Sequence, residues 1–352
     1  MSNGAPKTIC IGETMAMVTS SDASPVAHAA SVTVSPGGAE SNVALHLHEG
    51  GCRSMWISQL GEDPLGTRIL DALASRGVDT RYVTRASEAN TGIYIKDPTP
   101  QGSRVYYYRK GSAASLLGPD AAADWPLEEA ELVHMSGITL ALSDSCRELV
   151  FEVMRRVAAS EGTLMSFDVN YRPALWGVAE AARVTREAGQ RADVVLVGLD
   201  EAGVLWGVRT AEEVAALFPR ARYVVVKDGA REAVEFARGE GTEADRAAGG
   251  GGCSGGGAGR SGEGPGGVAG SSGDPGSSGA GADGEVVTRV PAWQVDVVEP
   301  VGAGDAFAGG YLSGLLRGKP AVERLELGHS MAAWVMGCAE DNRSGHGPEV
   351  RR

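Results

Sequence analysis

The stretch Glu299–Gly310 reads E-P-V-G-A-G-D-A-F-A-G-G and places small residues directly before a predicted helix. Because Gly302, Ala303 and Gly304 carry almost no side chain, backbone N–H groups can converge there, and the helix directs its positive dipole end to the same point. Asp305 stands where the loop becomes helix, so its carboxylate can accept a proton from an attacking hydroxyl. The pattern predicts an anion hole beside a general base. The alternative is a glycine-rich turn with Asp305 as an ordinary helix N-cap.

Outward from this stretch, short β-branched runs alternate with helical patterns. The predicted strands are Lys7–Ile11, Ser54–Gln59, Leu132–Ser136, Thr163–Asp168, Asp193–Val197 and Tyr223–Val226. The predicted helices are Asn42–Glu49, Leu65–Ser75, Cys146–Ala159, Glu180–Gln190, Ala211–Leu217, Asp305–Leu316 and Val322–Val335. The strands show little in–out alternation, as expected of a parallel sheet covered by helices on both faces. Their order along the chain predicts an α/β fold with an open, doubly wound sheet.

Two segments, residues 13–36 and 91–110, do not follow this alternation of strands and helices, because their residue patterns predict extended chain without an intervening helix. The second contains the alternating runs T-G-I-Y-I-K-D and S-R-V-Y-Y-Y-R, in which aromatic and cationic residues are concentrated. We predict that these antiparallel pieces form a small sheet that acts as a lid over a ligand cleft. The alternative is a pair of edge hairpins.

Residues 239–284 consist almost entirely of Gly, Ser, Ala and Asp, with scattered Arg and Pro. A segment with so little apolar surface cannot offset the conformational entropy that ordering would cost. We predict a flexible surface insertion between two strands. A docking linker is the functional alternative, and no residue in the segment supports it.

The charge and cysteine pattern narrows the class of protein. With a net charge of −13 over 352 residues, the surface repels nucleic acid and anionic lipid, so neither is an expected partner. The five cysteines are far apart and form no C-x-x-C pair, which argues against a disulfide framework or a zinc site. With no leader pattern or membrane-spanning run in the sequence, we expect a cytoplasmic protein.

A second motif begins with the glycine pair of Gly37–Ala44, which reads G-G-A-E-S-N-V-A. Further along the chain, Leu60–Thr80 reads L-G-E-D-P-L-G-T-R-I-L-D-A-L-A-S-R-G-V-D-T and belongs to the same motif. Together with Glu299–Gly310, these segments resemble the signatures of the ribokinase-like (PfkB) carbohydrate kinases. The resemblance covers nearly the whole chain outside the glycine-rich segment. It implies one α/β/α kinase domain over residues 1–352, with a small β-sheet lid, that uses ATP and Mg²⁺.

The resemblance also implies roles for particular residues. Asp305 corresponds to the catalytic base and the amides of Gly302, Ala303 and Gly304 to the anion hole, while Gly37, Gly38 and Asn42 correspond to positions that hold substrate hydroxyls. In V-V-V-K-D-G-A, Lys227 and Gly229 correspond to positions near ATP. Glu201 corresponds to a metal-positioning glutamate. Two residues depart from the family pattern: Glu299 replaces its usual Asp, and Gly198 replaces the Asn of its N-x-x-E element.

The runs V-Y-Y-Y-R-K-G-S-A (105–113) and F-D-V-N-Y-R-P-A-L-W (167–176) resemble the 2-keto-3-deoxygluconate kinase branch of this family. Within that resemblance Tyr94, Tyr107, Arg109 and Arg172 correspond to substrate contacts. The chemistry agrees, because a guanidinium binds a carboxylate through paired charge-assisted hydrogen bonds. Tyrosine adds an apolar face and a hydroxyl for a sugar. We therefore expect a sugar-acid substrate phosphorylated at its terminal hydroxyl.

Two other functions remain open from the sequence. One is a fructokinase or another neutral-sugar kinase, in which the two arginines bind hydroxyls or phosphates. The other is an inactive sugar-binding regulator, suggested by Glu299 and by the missing Asn at position 198. Since lids of this family often pair between subunits, the resemblance also implies a possible homodimer through the lid.

Overall fold

The computed structural model describes residues 7–99, 102–239, 278–280, 285–295, 297 and 301–337. Its strands are β1 Lys7–Ile11, β2 Met15–Ser20, β3 Val32–Gly37, β4 Arg53–Ile57, β5 Gln59–Gly61, β6 Thr84–Ala86, β7 Ile93–Thr99, β8 Gly102–Tyr108, β9 Leu132–Ser136, β10 Leu164–Asp168, β11 Val194–Gly198, β12 Tyr223–Asp228, β13 Glu232–Ala237, β14 Ser278–Ala280 and β15 Val286–Pro291. Its helices are α1 Ala39–Glu49, α2 Pro64–Ser75, α3 Gly137–Leu142, α4 Asp144–Ala158, α5 Val178–Gly189, α6 Leu199–Trp206, α7 Ala211–Leu217, α8 Ala303–Leu316 and α9 Ala321–Met336. No helix in these ranges is long and apolar enough to cross a membrane.

The main sheet of the described chain has nine strands in the order β14–β15–β13–β12–β11–β10–β9–β1–β4. The six from β12 to β4 are parallel, which confirms the doubly wound core predicted from the sequence. The remaining three strands extend it in antiparallel fashion. The direction reverses after β12 because the chain turns tightly at Gly229, where φ is +52°, instead of crossing over through a helix.

Each face of the main sheet is covered by helices, so the three-layer α/β/α prediction is confirmed. Helices α3 to α7 pack on one face around a core that includes Phe167, and α1, α2, α8 and α9 pack on the other around a core that includes Trp56. Strand β11 shows why the strands lack alternation. Its Val195 and Val197 enter the first core while Val194 and Leu196 enter the second, so both faces are fully buried.

The lid is a separate four-stranded sheet with the order β3–β2–β7–β8. It confirms the small β-sheet lid, but the expectation of antiparallel pairing throughout was wrong for the central pair. Strands β2 and β7 are parallel, with Ala16 opposite Ile93. The reason is topological: each leaves the body in the same direction and returns through its own hairpin partner, β3 or β8.

Helix α8 is held in place by unusually close neighbours. A Cβ atom on Gly310 would lie 2.5 Å from the backbone oxygen of Leu327, so only glycine allows α8 and α9 to approach so closely. A buried ion pair between Arg324 and Glu235 then joins α9 to β13, and the Tyr311 hydroxyl donates to Glu235 at 2.8 Å. These contacts fix the helix whose first turn carries the predicted base.

Candidate active site

A cleft of about 690 Å³ opens between the lid and the carboxyl ends of the parallel strands. Ligand sites of open α/β sheets lie at this edge because helix N-termini and strand-end side chains converge there. Three strand ends supply lining residues, Asp168 from β10, Gly198 from β11 and Lys227 from β12. The start of α8 lines the same cleft, so distant segments of the sequence meet at one place.

Asp305 lies in the first turn of α8, and its side chain reaches the cleft although the residue is only 9% exposed. The turn begins at Gly302, whose φ of +85° is left-handed and favours glycine. The carboxylate accepts hydrogen bonds from the amide nitrogens of Asn42, at 2.9 Å, and Asn170, at 3.4 Å. Burial raises the pKa of Asp305 to about 6, although the Asn42 hydrogen bond and the Arg172 charge oppose the rise. A carboxyl group with this pKa is mostly ionised at neutral pH, so it can accept a proton.

Lys227 lies beside the predicted anion hole. Its ammonium donates to Asp168 at 2.8 Å, and a Cβ on Gly304 would lie 3.7 Å from the same nitrogen. Burial alone would lower the pKa of Lys227, but the charges of Asp168 and Glu201 outweigh it and raise that pKa. The side chain therefore stays cationic next to the backbone amides at the start of α8. Such an arrangement stabilises negative charge that develops at this point.

The residues predicted to bind the sugar line the half of the cleft next to the lid, with Gly38 and Asn42 at the start of α1. The Tyr94 hydroxyl packs directly on Gly37, where a Cβ would overlap it. The Tyr94 ring lies 6.0 Å from that of Tyr107, so the two tyrosines form one aromatic wall. This wall and α1 enclose a space that opens toward Asp305.

The two predicted arginines differ in their surroundings. Arg109 is buried, forms an ion pair with Glu13, and lies 5.7 Å over the Tyr107 ring. Arg172 is exposed to the cleft and donates to the Tyr171 carbonyl at 3.4 Å. Within the described ranges Arg172 forms no ion pair, so its charge is available to an anionic ligand. The sequence prediction treated the two as equivalent, and the structure separates them.

The other half of the cleft is open toward α9 and the loop after β15. It is lined by Gly229, by Ala292–Val295 and by His329 and Met336. Glu201 lines it at the start of α6 and accepts the Gly198 amide at 3.1 Å. Burial raises the pKa of Glu201, while the Lys227 charge lowers it. Glu299 and residues 338–352 lie outside the described residues.

Three site residues escaped the sequence prediction: Glu13, Asp168 and Asn170. Each lies within two residues of the end of a buried strand of the main sheet, β1 or β10. A charged or amide side chain in that position was the available signal, because strand ends of a parallel sheet meet at one edge. Asn170 also has a left-handed φ of +38°, a conformation rare outside glycine and typical of functional sites.

A buried carboxylate at a glycine-framed helix start, with a lysine beside it at the carboxyl edge of a parallel sheet, is an arrangement suited to phosphoryl transfer to an alcohol. The model of the pfkB family carbohydrate kinases matches residues 5–249 and 263–345. The chain therefore belongs to the PfkB family and is a carbohydrate kinase.

Similar proteins are consistent with this membership. A 2-dehydro-3-deoxygluconokinase of Thermoproteus tenax is 30% identical, over 96% of this chain and 90% of that protein. A 2-dehydro-3-deoxygalactonokinase of Haloferax volcanii is 29% identical, over 92% of this chain and 89% of the relative. The crystal structure of a PfkB protein from Polaromonas sp. JS666 superposes with a TM-score of 0.74 at 30% identity, covering 94% of this chain and 95% of that one.

Proposed function

We propose that this kinase transfers the γ-phosphoryl group of ATP to the terminal hydroxyl of 2-keto-3-deoxygluconate, which is also called 2-dehydro-3-deoxygluconate. The observation that carries the proposal is the exposed guanidinium of Arg172 in the same cleft as Asp305. In a chain of net charge −13, a cation at this place favours a substrate with a carboxylate. The relatives named for two 2-dehydro-3-deoxy sugar acids support the same substrate class.

In the proposed reaction Asp305 accepts the proton of the terminal hydroxyl as its oxygen attacks the γ-phosphorus. The amides of Gly302, Ala303 and Gly304, together with Lys227, stabilise the charge that spreads over the transferred oxygens. Asn42 and Asn170 hold the base in one orientation, since each donates to one carboxylate oxygen. The bond from the γ-phosphorus to ADP then breaks, and the proton remains on Asp305 until it leaves to solvent.

Arg172 anchors the sugar acid's carboxylate, and Arg109 stays paired with Glu13 against the Tyr107 ring. Gly37, Gly38 and Asn42 bind the hydroxyls of the sugar. Tyr94 and Tyr107 cover the chain of the sugar, and the lid keeps water from replacing it as the phosphoryl acceptor.

ATP occupies the half of the cleft beside Gly229 and α9. Among the described residues no cluster of three or more His, Cys, Asp or Glu could hold a metal ion by itself. Mg²⁺ in kinases needs no such cluster, because it binds through one or two carboxylates, water and the substrate phosphates. Glu201 is a fitting ligand, since its carboxylate lines the cleft and presents hard oxygen atoms. Bound there, Mg²⁺ would neutralise phosphate charge.

The experiment is a comparison of ATP-dependent turnover with 2-keto-3-deoxygluconate, 2-keto-3-deoxygalactonate, fructose and ribose. We expect the highest kcat/KM for 2-keto-3-deoxygluconate. Higher kcat/KM with fructose would establish the neutral-sugar kinase alternative. Absence of ADP formation with every sugar would favour the inactive regulator.

Replacing Arg172 tests the carboxylate contact separately. The variant Arg172→Ala should lower kcat/KM for the sugar acid about 10- to 100-fold, the value of a charge-assisted hydrogen bond. Residual turnover of fructose should hardly change, because a neutral sugar offers no carboxylate. An equal loss with both sugars would contradict carboxylate recognition by this residue.

We further propose a cytoplasmic homodimer that pairs through the lid. The lid exposes Tyr106, Tyr108 and Val32, which are 45%, 63% and 47% exposed. Apolar exposure of this kind is typical of contact surfaces. The cysteines Cys10, Cys52 and Cys146 are free and buried, as suits a reducing compartment. Sedimentation of the protein beside a Tyr106→Glu/Tyr108→Glu variant would test the dimer, which the double variant should dissociate.

A further inference from the structure

Glu13 lies in the short loop between β1 and β2, where the chain first passes from the body into the lid. The described chain makes this passage four times: around Glu13, at Gly37–Gly38, at Thr91–Gly92 and at Arg109–Ser112. Glu13 is only 2% exposed, although a carboxylate is costly to bury without partners. The contacts of Glu13 with the other passages show what offsets the cost of burying its carboxylate.

All three of the other passages contact Glu13. A Cβ on Gly38 would overlap the Glu13 carbonyl oxygen, and a Cβ on Gly92 would lie 2.9 Å from Glu13 Oε1. From the last passage, Arg109 forms the buried ion pair with the carboxylate and the Ser112 hydroxyl donates to it. Within the described chain, Glu13 therefore contacts each of the other connections between body and lid, through its carbonyl oxygen at Gly38 and through its carboxylate at the other two.

The contacts continue from Glu13 into the sugar half of the cleft. The Arg109 guanidinium lies 5.7 Å over the Tyr107 ring, and Tyr107 lies 6.0 Å from Tyr94. Tyr94 in turn packs against Gly37, beside the start of α1. A buried arginine paired on one edge has few alternative orientations, so the Glu13–Arg109 pair restricts where the Tyr107 ring can lie.

We propose that Glu13 is a positioning residue that fastens the lid to the body in the orientation that closes the cleft over the sugar. Its carboxylate lies at the edge of the cleft lining and does not touch the Asp305 carboxylate, so it acts through Arg109. The inference rests on the carbohydrate kinase activity of the chain and holds for whichever sugar that activity uses.

The test variant is Glu13→Gln, which keeps the size and a hydrogen-bond acceptor for Ser112 but removes the charge that holds Arg109. With a loosened lid, water can attack the γ-phosphorus in place of the sugar hydroxyl, giving ADP and inorganic phosphate. We expect the ratio of phosphate released to sugar phosphate formed to rise about tenfold, and kcat/KM for the sugar to fall by a similar factor.

The matched control is Glu49→Gln. Glu49 also pairs with an arginine, Arg76, at 2.7 Å, but at the far end of α1 and outside the cleft lining. We expect it to lower the unfolding temperature without changing the product ratio. If Glu13→Gln lowered only the unfolding temperature, as the control does, Glu13 would be a structural residue and the proposal would be overturned.

A second variant and a second readout protect the test against misfolding of Glu13→Gln. Ser112→Ala removes a single hydroxyl from the same carboxylate and should raise the product ratio about threefold; an unchanged ratio would count against the proposal. Hydrogen–deuterium exchange of β7 and β8 with sugar and a non-hydrolysable ATP analogue should show less protection in either variant. Since the assay uses whichever sugar the wild type phosphorylates, a wrong substrate assignment would leave this test intact.

Discussion

At the scale of single residues, the site depends on a carboxylate that is buried at the expense of stability. Asp305 has an ordinary pKa of 3.8, and its burial raises this to about 6. The folded protein therefore binds this proton more tightly than the unfolded chain does. Stability contributed by the group is present below pH 4 and is lost as pH rises through about 6. At neutral pH the charged Asp305 carboxylate therefore lowers the free energy of unfolding.

The variant Asp305→Asn should lose activity and gain stability, because it removes both the proton acceptor and the buried charge. Turnover should fall about 10²- to 10⁴-fold, because the amide cannot accept the hydroxyl proton. The free energy of unfolding at pH 8 should rise by about 1–3 kcal/mol, the value of a two-unit pKa shift or less. Thermal unfolding at pH 4 and pH 8 checks this, since the gain should vanish at the lower pH. Retained turnover would remove Asp305 from the mechanism.

The same pKa predicts how activity depends on pH. We expect kcat/KM to decrease below about pH 6 with a slope of one, because protonated Asp305 cannot act as a base. Asn42 donates to the ionised carboxylate and so lowers its pKa. Asn42→Ala should therefore move the acidic limb to higher pH, in addition to any loss of rate. If the acidic limb of the kcat/KM profile did not move in Asn42→Ala, the titrating group would be one other than Asp305.

At the scale of elements, the start of α8 is positioned by helix packing that only glycine permits. A Cβ on Gly310 would lie 2.5 Å from Leu327 O and 3.1 Å from Gly328 Cα. The variant Gly310→Ala should lower the free energy of unfolding by about 1–3 kcal/mol, since overpacking outweighs the gain in helix propensity. It should also lower kcat, because α8 carries the base.

Gly203 provides the matched control, because it is exposed in the interior of the short helix α6. The nearest atom to a Cβ there would be Val208 O at 3.4 Å, an ordinary contact. Gly203→Ala should raise the free energy of unfolding by up to about 1 kcal/mol through helix propensity. Chemical denaturation measures both variants, and equal effects would contradict the packing argument.

At the scale of the whole molecule, the glycine-rich segment joins two strands that are already neighbours. Ala237 at the end of β13 pairs with Val286 at the start of β15, and Arg238 forms an ion pair with Glu285 at 2.6 Å. The segment 239–284 predicted as a flexible insertion lies mostly outside the described residues. The pairing of its two ends shows that the fold needs only a hairpin turn here.

Replacing residues 240–284 by a short Asn-Gly turn should therefore preserve the kinase. We expect kcat/KM within about twofold of the full chain and a similar unfolding temperature, because β13 and β15 pair directly with each other and the described sheet loses only its edge strand β14. Steady-state kinetics and calorimetry check this. A large loss of activity in a folded variant would give the segment the functional role that the sequence did not support.

The sequence alone determined the features that depend on neighbouring residues. Strand β9 and helix α7 have their predicted bounds, and the glycine-framed helix start at residues 302–305 lines the cleft, in the four consecutive residues for which the sequence predicted an anion hole and a base. Backbone conformation, helix starts and hydrophobic period are local properties, so a short stretch of chain is enough to predict them.

Only the tertiary structure decided which distant side chains contact the Asp305 carboxylate and its surroundings, and which ones meet where the lid joins the body. The amide of Asn42 reaches Asp305 across 263 positions, and Lys227 reaches Asp168 across 59. The Glu13–Arg109 pair and the parallel pairing of β2 with β7 are likewise absent from any local pattern. Such contacts follow from strand order and chain direction, which arise when the two cores pack and the whole sheet assembles.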